Sequence, residues 1–306
     1  MDVGEVQPVS AGSCADLYLV ETGMYDVTGY GAAYIIDAER PAIIETGIGT
    51  QHEALLDALD TVGIDRTDVE TIAMTHVHLD HAGGAGYLAD ACPAATVIAH
   101  EIGTPHLADP DALVAGTKQA VGDQWEYYVE PRPVPESRLR PIVDGDTIDI
   151  GDYTLRAHHV PGHAPHQVIF HVPSMEAVFT GDAAGIWIPE WEEVHQTSPP
   201  PQFDLDQAVA DLDTIAALDP QTLLFTHFGP APYSDSLLRN YEQRLARWIR
   251  DVDTAYNELP DEAAVIDHFT EETDIDAVWG SRKARGEIAV NVAGAKTYLE
   301  RIRGED

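Results

Sequence analysis

Thr75-His76-Val77-His78-Leu79-Asp80-His81 follows the short apolar run Ile72-Ala73-Met74 and leads into the glycine pair Gly83-Gly84. Two histidines two positions apart on an extended or turning backbone can converge on one cation. Asp80 and His81, one turn further on, point to a neighbouring position. Imidazole nitrogen and carboxylate oxygen are good ligands for zinc or iron. Four ligating side chains within residues 76–81 are a much stronger signal than a lone His-x-His. A polar turn of hydrogen-bonded histidines explains them poorly.

Working outward, three more segments repeat one pattern, a strand followed by a ligand-type side chain beside glycine or proline. They are Val160-Pro161-Gly162-His163, Phe179-Thr180-Gly181-Asp182 and Leu224-Phe225-Thr226-His227-Phe228-Gly229. Each is weak alone, because a histidine after a strand is usually a hydrogen-bonded loop residue. Taken together after the histidine run, they complete a two-metal site.

Periodicity and turn residues organise the rest. Strands are expected at 16–20, 32–37 and 41–45 as an antiparallel meander, then a helix at 51–62 and a strand at 71–75. A helix at 84–90, a strand at 96–99 and a helix over 111–129 follow, the last stopped by Pro131. Strands resume at 147–150, 153–160, 167–172 and 177–180. An irregular loop over 183–201 precedes a helix at 205–218 and a strand at 222–226. Beyond that the pattern is helical only, at 234–258, 261–269 and 286–302. The reading is an α/β layered catalytic domain over residues 1–232 with a C-terminal helical subdomain over 233–306.

Over roughly residues 17–228 the chain resembles the metallo-β-lactamase superfamily, and within it the glyoxalase II-like hydrolases. The resemblance implies an αββα sandwich with metals at one edge between the sheets, here with a C-terminal helical extension. It implies that His76, His78 and His163 hold a first metal, that Asp80, His81 and His227 hold a second, and that Asp182 bridges them. The implied cofactor is two divalent ions, zinc first, with iron or manganese as alternatives. Such a pair, about 3.5–4 Å apart, lowers the pKa of a shared water towards 7 and polarises the substrate carbonyl. Asp80 then orients the nucleophile or protonates the leaving group. The expected reaction is hydrolysis of a small ester, thioester or lactone. Two alternatives stay open: a mononuclear iron oxidoreductase like the sulfur dioxygenases, using only His76, His163 and Asp182, and a non-catalytic metal-bound binding protein.

Departures from the family narrow the substrate. The commonest class of true β-lactamases carries a cysteine where this chain has Asp182, which argues against antibiotic cleavage. Similar lactone hydrolases place a tyrosine three residues beyond the bridging aspartate, and here that residue is Gly185. The glycine, cysteine and arginine cluster that helps glyoxalase II hold glutathione is replaced by Ala183-Ala184-Gly185-Ile186-Trp187-Ile188-Pro189-Glu190-Trp191. In this loop Trp187, Trp191 and His195 are candidates for a substrate wall, against the plainer reading that the tryptophans anchor the loop to the core. His166 reads as a support for the site. Glu45, at a strand end, reads as a hydrogen-bonding buttress of the metal ligands. Arg282, with Lys283 and Arg285, is a candidate for a substrate carboxylate, against simple docking of the basic tail on an acidic body.

Charge bounds the partners. Asp plus Glu number 53 against 17 Lys plus Arg, a net charge of -36, and the only lysines are Lys118, Lys283 and Lys296. The acids are spread along the chain, which suits a folded protein hydrated in concentrated salt better than a disordered acidic tail. A salt-loving cytoplasm and a small-molecule substrate are therefore expected. Nucleic acid is not, since phosphate binding rests on basic patches. No apolar run reaches the eighteen or so residues of a membrane span. Cys14 and Cys92 match no CxxC spacing and are expected as two reduced thiols.

Overall fold

Side chains alternate across a strand, and here the alternation separates three apolar layers. A computed structural model describes residues 1–304 of the chain. In it, a first sheet orders seven strands in sequence: β1 (Val6–Pro8), β2 (Leu17–Glu21), β3 (Ala32–Ile36), β4 (Ala42–Ile44), β5 (Thr71–Ala73), β6 (Thr96–His100) and β7 (Leu139–Ile142). The β1 to β4 pairings are antiparallel, as the meander predicted for β2 to β4 but without β1, and β4 to β7 pair in parallel. Helices α1 (His52–Val62), α2 (Leu79–Ala82), α3 (Ala85–Ala91), α4 (Thr104–Ala108) and α5 (Asp111–Val121) fill its connections.

The second sheet begins with β8 (Thr147–Asp149), β9 (Thr154–His159), β10 (Val168–Val172) and β11 (Ala177–Gly181). A separate hairpin, β12 (Ile186–Ile188) with β13 (Glu193–His195), and helix α6 (Leu205–Ala217) intervene before β14 (Thr222–Phe225) and β15 (Pro230–Pro232) complete it. Its order is β15-β14-β11-β10-β9-β8. The remaining elements are α7 (Asp235–Glu258), α8 (Glu262–Glu272) and α9 (Asp276–Arg303).

Tyr34, Ile36 and Ile44 point inward to meet Phe170 and Phe179 of the other sheet. Their neighbours Ile35 and Ile43 point outward onto Leu55 and Leu59 of α1 and Leu88 of α3. On the far side, Ile169, Val178 and Leu223 pack against Leu212, Leu245 and Val292, from α6, α7 and α9. The result is the αββα sandwich expected, with the C-terminal helices laid on the second sheet. Helix starts follow from capping: Asp204, Ser234 and Asp261 each accept a backbone N–H three residues on, at 3.0, 3.1 and 2.9 Å.

Several sequence expectations need correction. The helix expected over 111–129 ends at Val121, because Gly122 takes φ 57°, ψ −122°, which no helix accommodates, and a 3-10 turn Gly122–Tyr127 continues instead. The loop over 183–201 contains the β12–β13 hairpin, whose three-residue strands are too short for periodicity to reveal. Helix α9 begins at Asp276, ten residues before the 286 expected, with a break at Gly280. Edge strands β7 and β15 escaped notice because each carries proline, which edges tolerate. Cys14 and Cys92 are free thiols. Among the described residues no helix is long and apolar enough to cross a membrane.

Candidate metal centre

Every ligand-type residue singled out in the sequence lies at one edge of the sandwich, at or just beyond the C-terminal end of a strand. His76 and His78 follow β5, Asp80 and His81 ride on the one-turn helix α2, and His163, Asp182 and His227 follow β9, β11 and β14. Thr75 joins the sheets at this edge. Its carbonyl accepts the Val168 N–H at 2.8 Å, its own N–H donates to Glu45 Oε1 at 2.8 Å, and its hydroxyl lies 3.1 Å from His76 Nδ1. The turn bearing Asp182 packs so tightly here that a Cβ on Gly181 (φ 50°) would come within 2.5 Å of Thr75 Oγ1.

The side chains fall into three overlapping groups: His76, His78 and His163; Asp80, His81 and His227; and His76, His81 and Asp182. Within each group the ligand atoms lie within 4.8 Å of one another, a spacing able to hold a divalent ion. Asp182 faces both triads. Its Oδ2 is 3.6 Å from His163 Nε2, while its Oδ1 is 3.4 Å from both His81 Nε2 and His227 Nε2. His163 Nε2 and His78 Nδ1 converge to 3.1 Å.

Other contacts aim the imidazoles. His227 Nδ1 lies 3.0 Å from the Tyr30 carbonyl, so its Nε2 is the nitrogen left for an ion. His81 Nδ1 lies 3.2 Å from Glu45 Oε2, leaving its Nε2 facing the site. Glu45 is held at φ 69°, a left-handed conformation costing about 1–3 kcal/mol that persists where surroundings over-determine it. The sequence reading of Glu45 as a buttress matches this geometry. His166 accepts the Val77 N–H at 3.4 Å and so supports the backbone between two ligand histidines. Asp211 of α6 accepts the Gly162 N–H at 2.6 Å and secures the loop carrying His163, and burial pushes its carboxyl up to about 6.

Does the pocket fit cations? His76 Nε2 and His81 Nε2 are buried with no hydrogen-bond partner. Such orphaned nitrogens are costly unless something accepts their lone pairs. Burial, reinforced by the His81, His78 and His163 rings, holds His76 well below its usual pKa, and burial pushes His163 down to about 3. These rings therefore stand neutral, in the ligating form. Burial also opposes charge on His81, yet the Asp182 and Asp80 carboxylates outweigh it and raise its pKa well above the usual value. A field that draws a proton onto a buried imidazole draws a divalent cation by the same means.

The substrate candidates divide. Trp187 is buried and packs 6.1 Å from the Phe225 ring, which favours the reading that it anchors the hairpin to the core. Trp191 and His195 lie in an aromatic group with Trp279 of α9, His195 being 5.4 and 6.1 Å from the two indoles. Arg282 is committed to Asp123, Glu126 and Tyr127, which favours the docking explanation. Arg285 pairs with Asp267 at 2.7 Å and Lys283 with Glu287 at 2.8 Å. Sequence reading missed Tyr25, Tyr30 and Tyr128, an aromatic group that reaches the second triad through Tyr30. Tyr30 lies 4.8 Å from the His227 ring and Tyr25 packs edge-on against Tyr30 at 5.3 Å. No local pattern marks them.

A family model described as the metallo-beta-lactamase superfamily matches residues 27–227. A metallo-beta-lactamase fold-containing protein, ST1585, of Sulfurisphaera tokodaii is 23% identical over 221 residues, covering 71% of this chain and 79% of the relative. A hydroxyacylglutathione hydrolase of Erythrobacter litoralis is 25% identical, covering 73% of this chain and 79% of its own length. The human acyl-coenzyme A thioesterase MBLAC2 is 29% identical over 47% of this chain, which spans 54% of that enzyme. The crystal structure of ST1585 from Sulfolobus tokodaii superposes with a TM-score of 0.69 at 22% identity, covering 92% of this chain and 99% of that one.

Proposed function

The chain belongs to the metallo-beta-lactamase superfamily, and on that premise we propose that it is a dinuclear metal-dependent hydrolase of a small ester, thioester or lactone, of the glyoxalase II-like kind. In this reading His76, His78 and His163 hold one ion, Asp80, His81 and His227 the other, and Asp182 joins them. The observation that carries it is the two-faced Asp182 carboxylate, one oxygen turned to each triad. The names of two relatives, a hydroxyacylglutathione hydrolase and an acyl-coenzyme A thioesterase, support thioester chemistry.

Ions held there would supply an activated water near neutral pH and a positive charge to polarise the carbonyl. The chain's own residues do the rest. Asp80 is the most open of the site's acids, 26% exposed against 6% for Asp182. Burial works to raise its carboxyl, but the His81, His227 and His78 rings outweigh burial and hold it below its usual value. As an ionised acceptor and the more open carboxylate, Asp80 orients the incoming water through a carboxylate oxygen. Glu45 fixes the His81 tautomer, and the Tyr30 carbonyl fixes that of His227. A single-iron oxygenase needs only His76, His163 and Asp182, so the complete second triad favours hydrolysis.

We propose zinc as the native metal and a salt-rich cytoplasm as the setting. The test is metal analysis of untagged protein from its native host, followed by ester, thioester and lactone substrates assayed in high salt. Two zinc ions per chain and turnover abolished by chelation are expected. One iron per chain with oxygen consumption would replace the reading with the oxidoreductase.

A further inference from the structure

Outside the ligands, the densest unexplained chemistry lies where α9 meets the second triad. Tyr25 and Tyr128 share a hydrogen bond between their hydroxyls. Each phenol carries one proton, and the pair consumes one of the two. The other has no acceptor among the described residues. Tyr25 is buried and sits one ring beyond Tyr30, which lies against His227. Burial above all, with neighbouring groups that include Asp80, holds both phenols well above their usual pKa, so the spare proton stays on oxygen.

Two further elements set this pair rigidly. Lys283 of α9, 8% exposed, lies 3.9 Å over the Tyr25 ring and 4.7 Å over the Tyr30 ring, with its charge balanced by Glu287. A cation over a phenol's face is attracted by the ring's quadrupole, and one ammonium over two rings holds them in a fixed relation. Arg282, on the same helix, grips Asp123 and Glu126 in the turn just before Tyr128, and Trp125 stacks on Tyr128 at 5.2 Å. One helix thus braces the Tyr25 ring through Lys283 and the turn that leads into Tyr128 through Arg282. Tyr25 and Asp26 adopt φ 58° and 57°, a pair of non-glycine residues in left-handed conformation beside a functional centre.

We propose that the Tyr25–Tyr128 pair is the protein's hydrogen-bond donor to the acyl oxygen of the substrate, and that α9, through Lys283 and Arg282, is the element that positions it. This rests on the hydrolase reading above. The carbonyl oxygen gains negative charge as water attacks, and a preset donor stabilises that charge without reorganising. No proton is transferred from the pair, so the assignment makes no demand on the leaving group.

The probes are butylphosphonate, a tetrahedral anion shaped like an attacked valerate ester, and para-nitrophenyl valerate. Zinc-loaded wild type, Tyr25→Phe, Tyr128→Phe and the double variant are compared. Removing both hydroxyls leaves no unpaired partner, so the double variant should fold and keep wild-type zinc content. It should bind butylphosphonate about tenfold to a hundredfold more weakly, the usual range for a lost hydrogen bond to a charged group. Each single variant should lose far less, because the remaining phenol has its proton free. Equal affinity in wild type and double variant would overturn the proposal, as would full loss in both single variants. Wild type that shows the expected phosphonate pattern but leaves the ester uncleaved would sink the hydrolase reading and keep the donor assignment.

Discussion

The two triads have similar spacing and unlike material. His76, His78 and His163 offer imidazole alone, and His163 Nδ1 is buried without a partner. Asp80, His81 and His227 include a carboxylate, and Glu45 and the Tyr30 carbonyl stand behind the two rings. The second half is therefore more negative and its tautomers are fixed, which favours tighter and less exchangeable binding of a hard divalent ion. The first half is neutral and relies more on Asp182. Equal distances do not make equal sites when charge and outer partners differ.

The sharpest way to break this comparison is to remove what the halves share. Asp182→Ala should empty or weaken both positions together and reduce hydrolysis by at least about a thousandfold, since a carboxylate between two ions neutralises charge for each. Two tightly held zinc ions in that variant, measured by mass spectrometry under native conditions, would mean that the halves are independent. Glu45→Gln should sharpen it instead. Affinity for one zinc should fall about 10–100-fold while the other is unchanged, a split that competitive chelator titration resolves. Equal weakening of both ions would erase the proposed asymmetry.

The smallest effect on the centre should come from salt. At a net charge of -36, self-repulsion opposes folding in dilute buffer, and screening relieves it at distances beyond a few Å. The melting temperature should rise from roughly 0.1 to 3 M potassium chloride while zinc content stays constant. A flat or falling melting curve would require another cause for the acidity.

The centre was legible because its parts are local: each ligand follows a strand within a few residues, and the strands themselves carry apolar signatures such as Ile72-Ala73-Met74 and Val178-Phe179. The layers were legible for the same reason. What escaped was made by contacts distant in sequence. Tyr25 meets Lys283 across more than 250 residues, and neither residue has a neighbour that advertises the pairing. Lys283 stood out as one of three lysines and, with Arg282 and Arg285, as a candidate for a substrate carboxylate, not as a partner of Tyr25. The hairpin around Trp187 escaped because Pro189, Glu190 and Glu192 imitate a loop, and the end of α5 because one glycine leaves helical space where the apolar pattern continues.

Helix α9 also sets an order in time. During synthesis His76 through His227 leave the ribosome before Lys283 does, at about 5–20 residues per second. All seven ligand-type side chains are therefore synthesised while Tyr25 and Tyr128 still lack the cation and the arginine that hold them. A polypeptide stalled between Phe228 and Trp279 would own the means to capture ions but not the clasp that receives an acyl oxygen. On the proposed reading, the residues that would hold ions are made before the helix that would ready the site for substrate.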